Sequence, residues 1–153
     1  MSFRRIAVRK SGIHGRGVFA RERIARGTTI LEYRGARITH AQADAGPEDD
    51  GHTFLFILNE DFVVDGGVNG NSARWINHSC APNCEPFWVE APGPDRRRDR
   101  IVIDARRDIE PGEELTYDYG IVTDEPRTAK LKALWACRCG ARRCRGTLLG
   151  GRR

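Results

Sequence analysis

The sequence lacks the features of several large protein classes. It has no uninterrupted run of about 18 apolar residues, so neither a membrane-spanning helix nor a membrane partner is predicted. No apolar segment follows the basic residues at 1–10, and we therefore expect no export through a classical secretion signal. The five cysteines are an odd number, which argues against a disulfide scaffold in a chain without such a signal.

Several familiar catalytic and nucleotide-binding motifs are also absent. The chain contains no P-loop, no HExxH sequence and no serine nucleophile elbow, so the enzymes built on those motifs are not indicated. Gly15 and Gly17 begin a GxG pattern, but no third glycine follows in register and no long alternation of strands and helices surrounds them. A Rossmann dinucleotide site is therefore not predicted.

Lysine is scarce in a chain that is nevertheless basic. Arginine supplies almost all of the 26 basic residues, and the formal net charge is +5. This balance indicates an acidic partner such as nucleic acid, or a protein that binds nucleic acid, whereas arginines scattered over a solvated surface explain it equally well. The run of arginines at 96–98 is predicted to be a solvated loop tip, with weak contact to nucleic acid as the alternative.

What the chain does contain is the pattern of a mostly β domain. Short runs rich in β-branched and aromatic residues recur between glycine, proline, asparagine and aspartate. The predicted strands are residues 17–20, 28–33, 54–58, 62–65, 86–89 and 101–104. Segment 91–99, with its prolines, glycine and charges, is predicted to be a loop that joins two antiparallel strands.

Only two short helices are predicted. The first covers residues 37–45, with Thr39 as a candidate N-cap, and the second covers residues 127–135. Near residue 120 the composition changes from a β-rich body to a region that ends in cysteine and arginine. We therefore predict a body of residues 1–120, followed at 121–153 by a linker helix and a tail too short to build a core without a metal.

Three closely spaced cysteines in this tail indicate a zinc site. Cys137, Cys139 and Cys144 form a CxCx4C pattern. A closed structural zinc site has four ligands, so the fourth must come from elsewhere in the chain. Cys80 and Cys84 are the remaining thiols, and the spacing does not choose between them. A cluster of reduced surface cysteines is the alternative interpretation.

The most specific pattern in the chain is RWINHSCAPN at residues 74–83. It resembles the RFINHSCxPN signature of SET-domain protein-lysine methyltransferases. Three further segments resemble motifs of that family, in the family's order: residues 12–20 (GIHGRGVFA) its cofactor loop, 32–35 (EYRG) its EYxG strand, and 112–120 (GEELTYDYG) its GEELTYDY motif. Residues 137–146 resemble its post-SET zinc segment, so the resemblance covers nearly the whole chain.

The resemblance implies a fold and two bound groups. The fold consists of several small curved sheets, and in it the NHSC and YDY segments meet in a knot-like crossing. The implied groups are S-adenosyl-L-methionine as cosubstrate and one structural zinc ion. The family also implies that Cys80 is the fourth zinc ligand, which leaves Cys84 free.

The same resemblance assigns seven residues to the cofactor site: Gly15, Arg16, Gly17, His52, Arg74, Asn77 and His78. The backbone around Arg16 is expected to cradle the methionine end of the cofactor, Asn77 to hydrogen-bond to it, and His78 to line its adenine side. His52 is a departure, because many relatives have a cofactor-contacting tyrosine there. It either weakens cofactor binding or replaces one polar contact with another.

All three tyrosines of the chain, Tyr33, Tyr117 and Tyr119, fall where the family lines its lysine channel. Methyl transfer needs a neutral amine, and deprotonating a lysine with a pKa of about 10.4 costs about 4 kcal/mol near neutral pH. An apolar channel and a sulfonium charge both lower that pKa, and phenol hydroxyls orient the amine. An arginine, with its pKa of about 12.5 or more, is far harder to neutralise, so lysine is the predicted target.

Tyr119 is the candidate for the essential catalytic tyrosine. Tyr117 lies where relatives carry tyrosine or phenylalanine, and a hydroxyl there leaves less room for a methylated amine. We therefore predict mainly monomethylation or dimethylation. Two other hypotheses compete with an active enzyme: a non-catalytic SET-like module that binds a peptide or chromatin, and a basic zinc protein that binds nucleic acid. The latter lacks an obvious recognition helix.

The sequence does not name the protein substrate. A histone, a bacterial DNA-binding protein and a ribosomal protein all fit a basic or chromatin-like partner that carries the target lysine. Small size and arginine richness favour a bacterial source. The expected location is then the cytoplasm, whereas a eukaryotic source predicts the nucleus, and delivery to a host cell is a third location. The sequence indicates no oligomeric state.

Overall fold

The computed structural model describes residues 5–46, 54–120, 129, 136–137 and 139–147. Within these residues the chain forms ten short β-strands and one α-helix, α1 (His40–Asp44). The strands are β1 (Ile6–Lys10), β2 (Arg16–Ala20), β3 (Thr29–Glu32), β4 (Ala36–Thr39), β5 (Leu55–Ile57), β6 (Phe62–Asp65), β7 (Asn77–His78), β8 (Cys84–Val89), β9 (Arg100–Ala105) and β10 (Thr116–Tyr117). All six predicted strands overlap an observed one, and the mostly β fold class is confirmed.

Four observed strands, β1, β4, β7 and β10, were not predicted. In β1 only Ile6 is buried, and β4 has no buried residue, so neither shows the apolar alternation of a half-buried strand. The strands β7 and β10 have two residues each, which is too short for any periodicity. Their pairing is therefore a property of the tertiary fold rather than of local sequence.

The strands form small sheets instead of one large one. Two three-stranded antiparallel sheets have the orders β3-β9-β8 and β4-β6-β5, and β1 pairs antiparallel with β2. The predicted loop at 91–99 does join two antiparallel strands, β8 and β9. Within it, residues 96–98 form a single 3₁₀ turn, which is capped by Asp95 because its side chain accepts a hydrogen bond from the Arg97 amide.

The helix begins later than predicted because its first residues belong to a strand. Thr39 is the N-cap, as predicted: its side chain accepts a hydrogen bond from the Gln42 amide, and the Gln42 side chain accepts one from the Thr39 amide. This reciprocal capping box stabilises the first turn. Residues 36–39 are extended instead, because they pair with β6. The predicted helix start at residue 37 was therefore wrong, because residues 37–39 belong to β4 and the helix begins at His40.

The core lies between the sheets and is aliphatic. Its largest fully buried apolar side chains are Val18, Ile24, Val64, Ile76, Ile103, Ile109 and Leu115. Each side chain of this kind stabilises the fold by roughly 1.5–3 kcal/mol through burial. Ile24 and Ile109 also pair through two backbone hydrogen bonds of 2.9 and 2.8 Å, which tie the segment after β2 to the segment before β10.

The segments that carry the most specific motifs meet in a parallel pair. Thr116 lies opposite Asn77 and Tyr117 opposite His78, so β10 runs alongside β7. The Asn83 side chain holds the two segments together. Its Nδ2 atom donates to the Glu114 carbonyl at 2.8 Å, and its Oδ1 atom accepts from the backbone amide of Thr116 at 2.9 Å. The prediction that the NHSC and YDY segments come together is confirmed.

The tail is described in part. Residues Ala136 and Thr147 form an isolated antiparallel bridge around the cysteines. The predicted helix at 127–135 lies outside the described residues apart from Ala129, and the division into 1–120 and 121–153 stays a prediction. Among the described residues, no helix is long and apolar enough to cross a membrane.

Candidate active site and metal centre

Four of the five cysteines converge on one point. The Sγ atoms of Cys80, Cys137, Cys139 and Cys144 all lie within 4.8 Å of one another. The Sγ atoms of Cys80 and Cys137 are 3.9 Å apart. A tetrahedral zinc ion with Zn–S bonds of about 2.3 Å separates its sulfur ligands by about 3.8 Å. The spacing and the all-thiol donor set therefore fit a structural zinc ion.

Backbone amides point at these sulfur atoms and favour thiolates. The amides of Cys80 and Ala141 both donate to Cys139 Sγ at 3.5 Å, and the Arg145 amide donates to Cys80 Sγ at 3.3 Å. Burial raises the pKa of Cys139, but hydrogen bonds from two backbone amides and from the Cys137 and Cys144 thiols lower that pKa to about 6. In the same cluster, burial raises the pKa values of Cys80 and Cys137. The Cys139 thiol, with its lowered pKa, is ready to bind a metal ion at neutral pH.

The fifth cysteine is part of the core. Cys84 is 1% exposed on β8, and burial raises the pKa of its thiol to about 12. It therefore stays protonated and behaves as a small apolar side chain. Of the two candidates that the spacing left open, the structure brings Cys80 into the cluster and buries Cys84.

The metal centre is joined to the tyrosine segment by His78 and Asp118. The His78 Nδ1 atom accepts a hydrogen bond from the Tyr119 amide at 3.0 Å, so Nε2 carries the proton and donates to Cys80 Sγ at 3.3 Å. Burial lowers the pKa of His78 to about 4, which keeps the ring neutral. Arg145 donates from both terminal nitrogens to Asp118, at 2.7 and 3.0 Å. The metal centre and the tail thus contact His78 and Asp118, which lie beside Tyr119.

The three tyrosines lie in one aromatic group with Phe56. Ring centroids are 5.2 Å apart between Tyr33 and Phe56, 5.9 Å between Phe56 and Tyr117, and 5.0 Å between Tyr117 and Tyr119. The prediction that these tyrosines share one site is consistent with this arrangement. Phe56 was missed as a site residue, although its place in the apolar run at 54–58 was a signal of burial.

The phenols are neutral hydrogen-bond donors. Burial, followed by the charge of Asp65, raises the pKa of Tyr33, and its hydroxyl donates to the Phe54 carbonyl at 2.6 Å. Burial likewise raises the pKa values of Tyr117 and Tyr119, and the Tyr119 hydroxyl donates to the Ile76 carbonyl. Such phenols orient a substrate through their oxygen lone pairs, but they do not act as bases near neutral pH.

A glycine makes room for one of these hydroxyls. A Cβ atom on Gly66 would lie 2.7 Å from the Tyr33 hydroxyl oxygen. The Gly66 amide also donates to the Phe54 carbonyl at 2.9 Å, so that carbonyl accepts hydrogen bonds from both Gly66 and the Tyr33 hydroxyl. The turn after β6 therefore holds the Tyr33 ring at its position, a role that the sequence did not reveal.

Asn77 holds the candidate cofactor loop. Its Nδ2 atom lies 2.9 Å from the Arg16 carbonyl, 3.1 Å from the His14 carbonyl and 2.8 Å from Glu114 Oε2. With two hydrogens for three acceptors, this amide nitrogen is fully used inside the protein. The structure therefore gives Asn77 a role in shaping residues 14–16, and its direct contact with a cofactor stays a prediction.

The two predicted cofactor arginines flank Trp75. The guanidinium carbons of Arg74 and Arg16 lie 4.7 and 5.6 Å from its ring centroid, within the range of cation–π contacts. The Nε atom of Arg74 is buried and has no hydrogen-bond partner among the described residues. An unsatisfied buried donor of this kind costs about 1–3 kcal/mol, so it favours an acceptor such as a ligand carboxylate.

The remaining predicted cofactor residues differ in how far the structure describes them. Gly15 has a positive φ of 43°, a conformation that favours glycine. At Gly17 a Cβ would collide with Glu114 Oε2, so the loop closes tightly on that carboxylate. Both ring nitrogens of His78 are engaged within the protein, which leaves its ring surface and backbone for a ligand. His52 lies outside the described residues.

Comparison with protein families assigns most of the chain. A family model described as "SET domain" matches residues 15–120. The "Histone-lysine N-methyltransferase, H3 lysine-4 specific" of Schizosaccharomyces pombe is 41% identical over 143 residues, which cover 90% of this chain and 14% of that protein. "Histone-lysine N-methyltransferase 2B" of Homo sapiens is 40% identical over 144 residues, which cover 92% of this chain and 5% of that protein. The chain thus spans a small part of these relatives.

Solved structures share the fold. The crystal structure of KRYPTONITE in complex with mCHH DNA, H3(1-15) peptide and SAH superposes with a TM-score of 0.75 and 36% identity, covering 94% of this chain and 29% of that one. The structure of ctPRC2 in an autoinhibited conformation bound to S-adenosylmethionine gives a TM-score of 0.69 and 32% identity, covering 78% of this chain and 15% of that one. Both similar structures hold a form of the cofactor that the sequence implied.

Proposed function

Because this chain belongs to the SET-domain family, we propose that it methylates a lysine side chain of a protein substrate with S-adenosyl-L-methionine. The observation that carries the proposal is the single aromatic group of Tyr33, Phe56, Tyr117 and Tyr119 beside the segment of Asn77 and His78. Relatives named as histone-lysine methyltransferases support it.

The chain offers a cofactor site built from backbone and cations. Residues 14–17 form a loop held by Asn77, and Arg74 presents a buried donor without a partner. We propose that Arg74 binds the carboxylate of the methionine end, which its planar guanidinium suits. The cofactor would supply an electrophilic methyl group on a positively charged sulfur. A positively charged sulfur is more favourable beside the neutral phenols and apolar rings of this site than beside another cation.

The tyrosines would position the substrate amine. In an apolar channel the neutral form of lysine is favoured, because burial penalises the ammonium ion. The three phenols stay protonated, so we propose that the proton of the ammonium leaves to solvent before transfer. The Tyr119 hydroxyl is directed by its bond to the Ile76 carbonyl, which leaves its oxygen lone pairs for the amine. Alignment of this kind contributes up to about 7–11 kcal/mol to lowering the barrier in well-oriented reactions.

The product is proposed to carry one or two methyl groups. Tyr117 is buried between Phe56 and Tyr119, so its hydroxyl occupies space that a bulkier amine would need. The zinc centre is proposed to act indirectly. It holds the tail against His78 and Asp118 and so keeps Tyr119 in place, while taking no part in the transfer.

The substrate is proposed to be a basic, chromatin-like protein. Two similar relatives are named as histone-lysine methyltransferases, and the KRYPTONITE complex contains a histone H3 peptide and DNA. A separate role in binding nucleic acid through residues 96–98 has less support. Arg97 contacts Asp95 and the Phe62 ring, and Arg96 lies 3.6 Å from Asp99, so two of the three arginines already have partners. The protein is proposed to act in the cytoplasm if its source is bacterial, in the nucleus if its source is eukaryotic, or in a host cell if it is delivered there.

A methyl-transfer assay tests the proposal. Zinc-loaded protein is incubated with tritiated cofactor and separate pools of histones and basic bacterial proteins, and labelled bands are identified by mass spectrometry. Tyr119→Phe is compared with wild type, and Phe87→Leu, at an exposed aromatic residue of β8, serves as the matched control. Lysine label that disappears only in Tyr119→Phe supports the enzyme. The absence of both label and cofactor binding would overturn the proposal in favour of a binding module.

A further inference from the structure

Glu114 is a partly buried carboxylate to which the proposed reaction gives no role. Its Oε1 and Oε2 atoms share the single hydroxyl hydrogen of Ser11, whose Oγ atom lies 2.7 and 2.9 Å from them. Its Oε2 atom also accepts from Asn77 Nδ2 at 2.8 Å. These contacts join three segments that lie 37 and 103 residues apart in the chain. We name Ser11, Glu114 and Asn77 the loop latch.

The latch holds both ends of the candidate cofactor loop. At its beginning, the Ser11 hydroxyl also accepts from the Ile13 amide at 2.9 Å, and the Ser11 amide donates to the Gly15 carbonyl at 2.8 Å. At its end, Asn77 donates to the Arg16 carbonyl. Gly17 lies against the carboxylate so closely that a side chain there would collide with it. The loop from 11 to 17 is therefore folded around Glu114.

Neutral donors hold the Glu114 carboxylate. Among the described residues, no lysine, arginine or histidine forms an ion pair with Glu114, although the chain carries 26 basic residues. Its partners are neutral donors, and hydrogen bonds from neutral donors to a carboxylate are about twice as strong as neutral pairs.

We propose that Glu114 is a positioning residue, which acts through Ser11 and Asn77 to hold residues 11–17 in the conformation that receives the methionine end of the cofactor. The proposal rests on the proposed function in that it takes this loop as the cofactor loop. All of the latch's hydrogen bonds lie within the chain, so forming them needs no atom of the cofactor. The latch lowers the ordering entropy that binding would otherwise have to overcome.

The test uses the full chain, loaded with zinc. Glu114→Ala, Ser11→Ala and the double variant are compared with Glu113→Ala, a neighbouring glutamate whose carboxylate pairs with Arg107 near the surface. Titration calorimetry measures the affinities for S-adenosyl-L-methionine and S-adenosylhomocysteine. Hydrogen exchange in the cofactor-free protein measures the protection of amides 11–17. Circular dichroism checks that each variant is folded.

We expect Glu114→Ala to weaken both affinities by about tenfold, consistent with the loss of hydrogen bonds to a charged group. Exchange at residues 11–17 should become faster, while the KM for the protein substrate and all values for Glu113→Ala stay at wild type. The loss of affinity in the double variant should be smaller than the two single losses combined, because Ser11 and Glu114 share one contact. Ser11 is remote in sequence from β10, whereas Glu114 lies just before that strand. Ser11→Ala therefore tests the latch even where Glu114→Ala does not fold.

Two failures are distinguishable. A wild type that binds neither cofactor form would overturn the proposed function, and with it the cofactor role of the latch. A wild type that binds the cofactor, beside Glu114→Ala and Ser11→Ala variants with unchanged affinity and unchanged exchange at 11–17, would overturn the latch alone. A uniform loss of thermal stability with unchanged affinity would also overturn it, because the role would then be structural only.

Discussion

The body and the tail of this protein are held together by different forces. In the body, residues 5–120 as far as they are described, seven large aliphatic side chains are fully buried. In the described residues of the tail, 136–137 and 139–147, Thr147 is the one buried residue. The tail is attached instead through four sulfur atoms and the Arg145–Asp118 pair. The body therefore depends on burial, and the tail depends on a metal ion and on reduced thiols.

This difference reaches the active site because the two regions meet there. His78 belongs to the body but donates to the zinc ligand Cys80, and its other nitrogen accepts from the Tyr119 amide. Loss of the metal is expected to disturb Tyr119 while leaving the aliphatic core intact. Loss of core packing is expected to unfold both regions. Five substitutions separate these effects.

Cys139→Ser should have the largest effect, and it should disrupt the structure of the tail while the body stays folded. Structural zinc contributes about 10–16 kcal/mol of apparent binding free energy in small zinc domains, and a missing thiolate removes most of it. We expect loss of zinc and of methyl transfer, with the β signal of the body retained. Zinc content and far-ultraviolet circular dichroism measure this, with Cys84→Ala, in the core, as the control that keeps its zinc.

Ile103→Ala should break the body. Ile103 is fully buried at the centre of β9, and removal of such a side chain costs about 2–5 kcal/mol of stability. The midpoint of urea unfolding should fall accordingly. Val102→Ala on the same strand, where the side chain is only partly buried, is the control and should lose much less. Equal losses would contradict the assignment of the core.

Tyr119→Phe should act at the junction of the two regions. We expect kcat to fall by about 100-fold, the scale of a small misplacement of reacting groups. Zinc content should stay near wild type because the ring itself is kept, while loss of the buried hydrogen bond to the Ile76 carbonyl should cost about 1–3 kcal/mol of stability. Single-turnover kinetics separate this effect from slow product release. An unchanged rate would show that the hydroxyl of Tyr119 does not orient the amine.

Arg145→Ala should loosen the junction only slightly. The Arg145 and Asp118 side chains are 32% and 40% exposed, so their ion pair is screened by water and contributes no more than about 1 kcal/mol. We expect zinc to remain bound and kcat to fall by less than about fivefold. The fall should grow smaller at high salt. A loss as large as that of Cys139→Ser would mean that the ion pair, and not the metal, holds the tail.

Tyr117→Phe should change the product more than the rate. Removing one hydroxyl from the buried aromatic group enlarges the space around the amine while leaving its ring contacts with Phe56 and Tyr119. We expect a shift toward more highly methylated lysine, with a rate change of less than about threefold, or about 0.6 kcal/mol. Mass spectrometry of the product measures it. A product distribution identical to that of wild type would contradict the size argument.

The sequence predicted the fold wherever local signals were strong. The six strands with β-branched runs and the N-cap at Thr39 were found because propensity and capping chemistry act over a few residues. The boundary at residue 37 failed because pairing with β6 overrides helical preference in residues 36–39. The two-residue strands β7 and β10 have no local signal, since only their partner defines them.

The candidate site shows the same division. Tyr33, Tyr117 and Tyr119 were predicted from motifs, and the structure brings them together. Phe56 was missed because it belongs to no motif, and it joins Tyr33 to Tyr117 only through space. Asn77 was expected at the cofactor, yet its amide is occupied by backbone carbonyls and Glu114.

By itself the sequence determined the chemistry that this protein has available: five thiols, three of them at a spacing that suits zinc, three phenols and an NHSC segment that resembles a methyltransferase family. Only the tertiary structure decided which groups meet. Cys80 and Cys84 are four positions apart, yet Cys80 lies 3.9 Å from a sulfur 57 residues away while Cys84 is buried in the core. Contacts of that kind depend on how the sheets cross, and no local spacing encodes them.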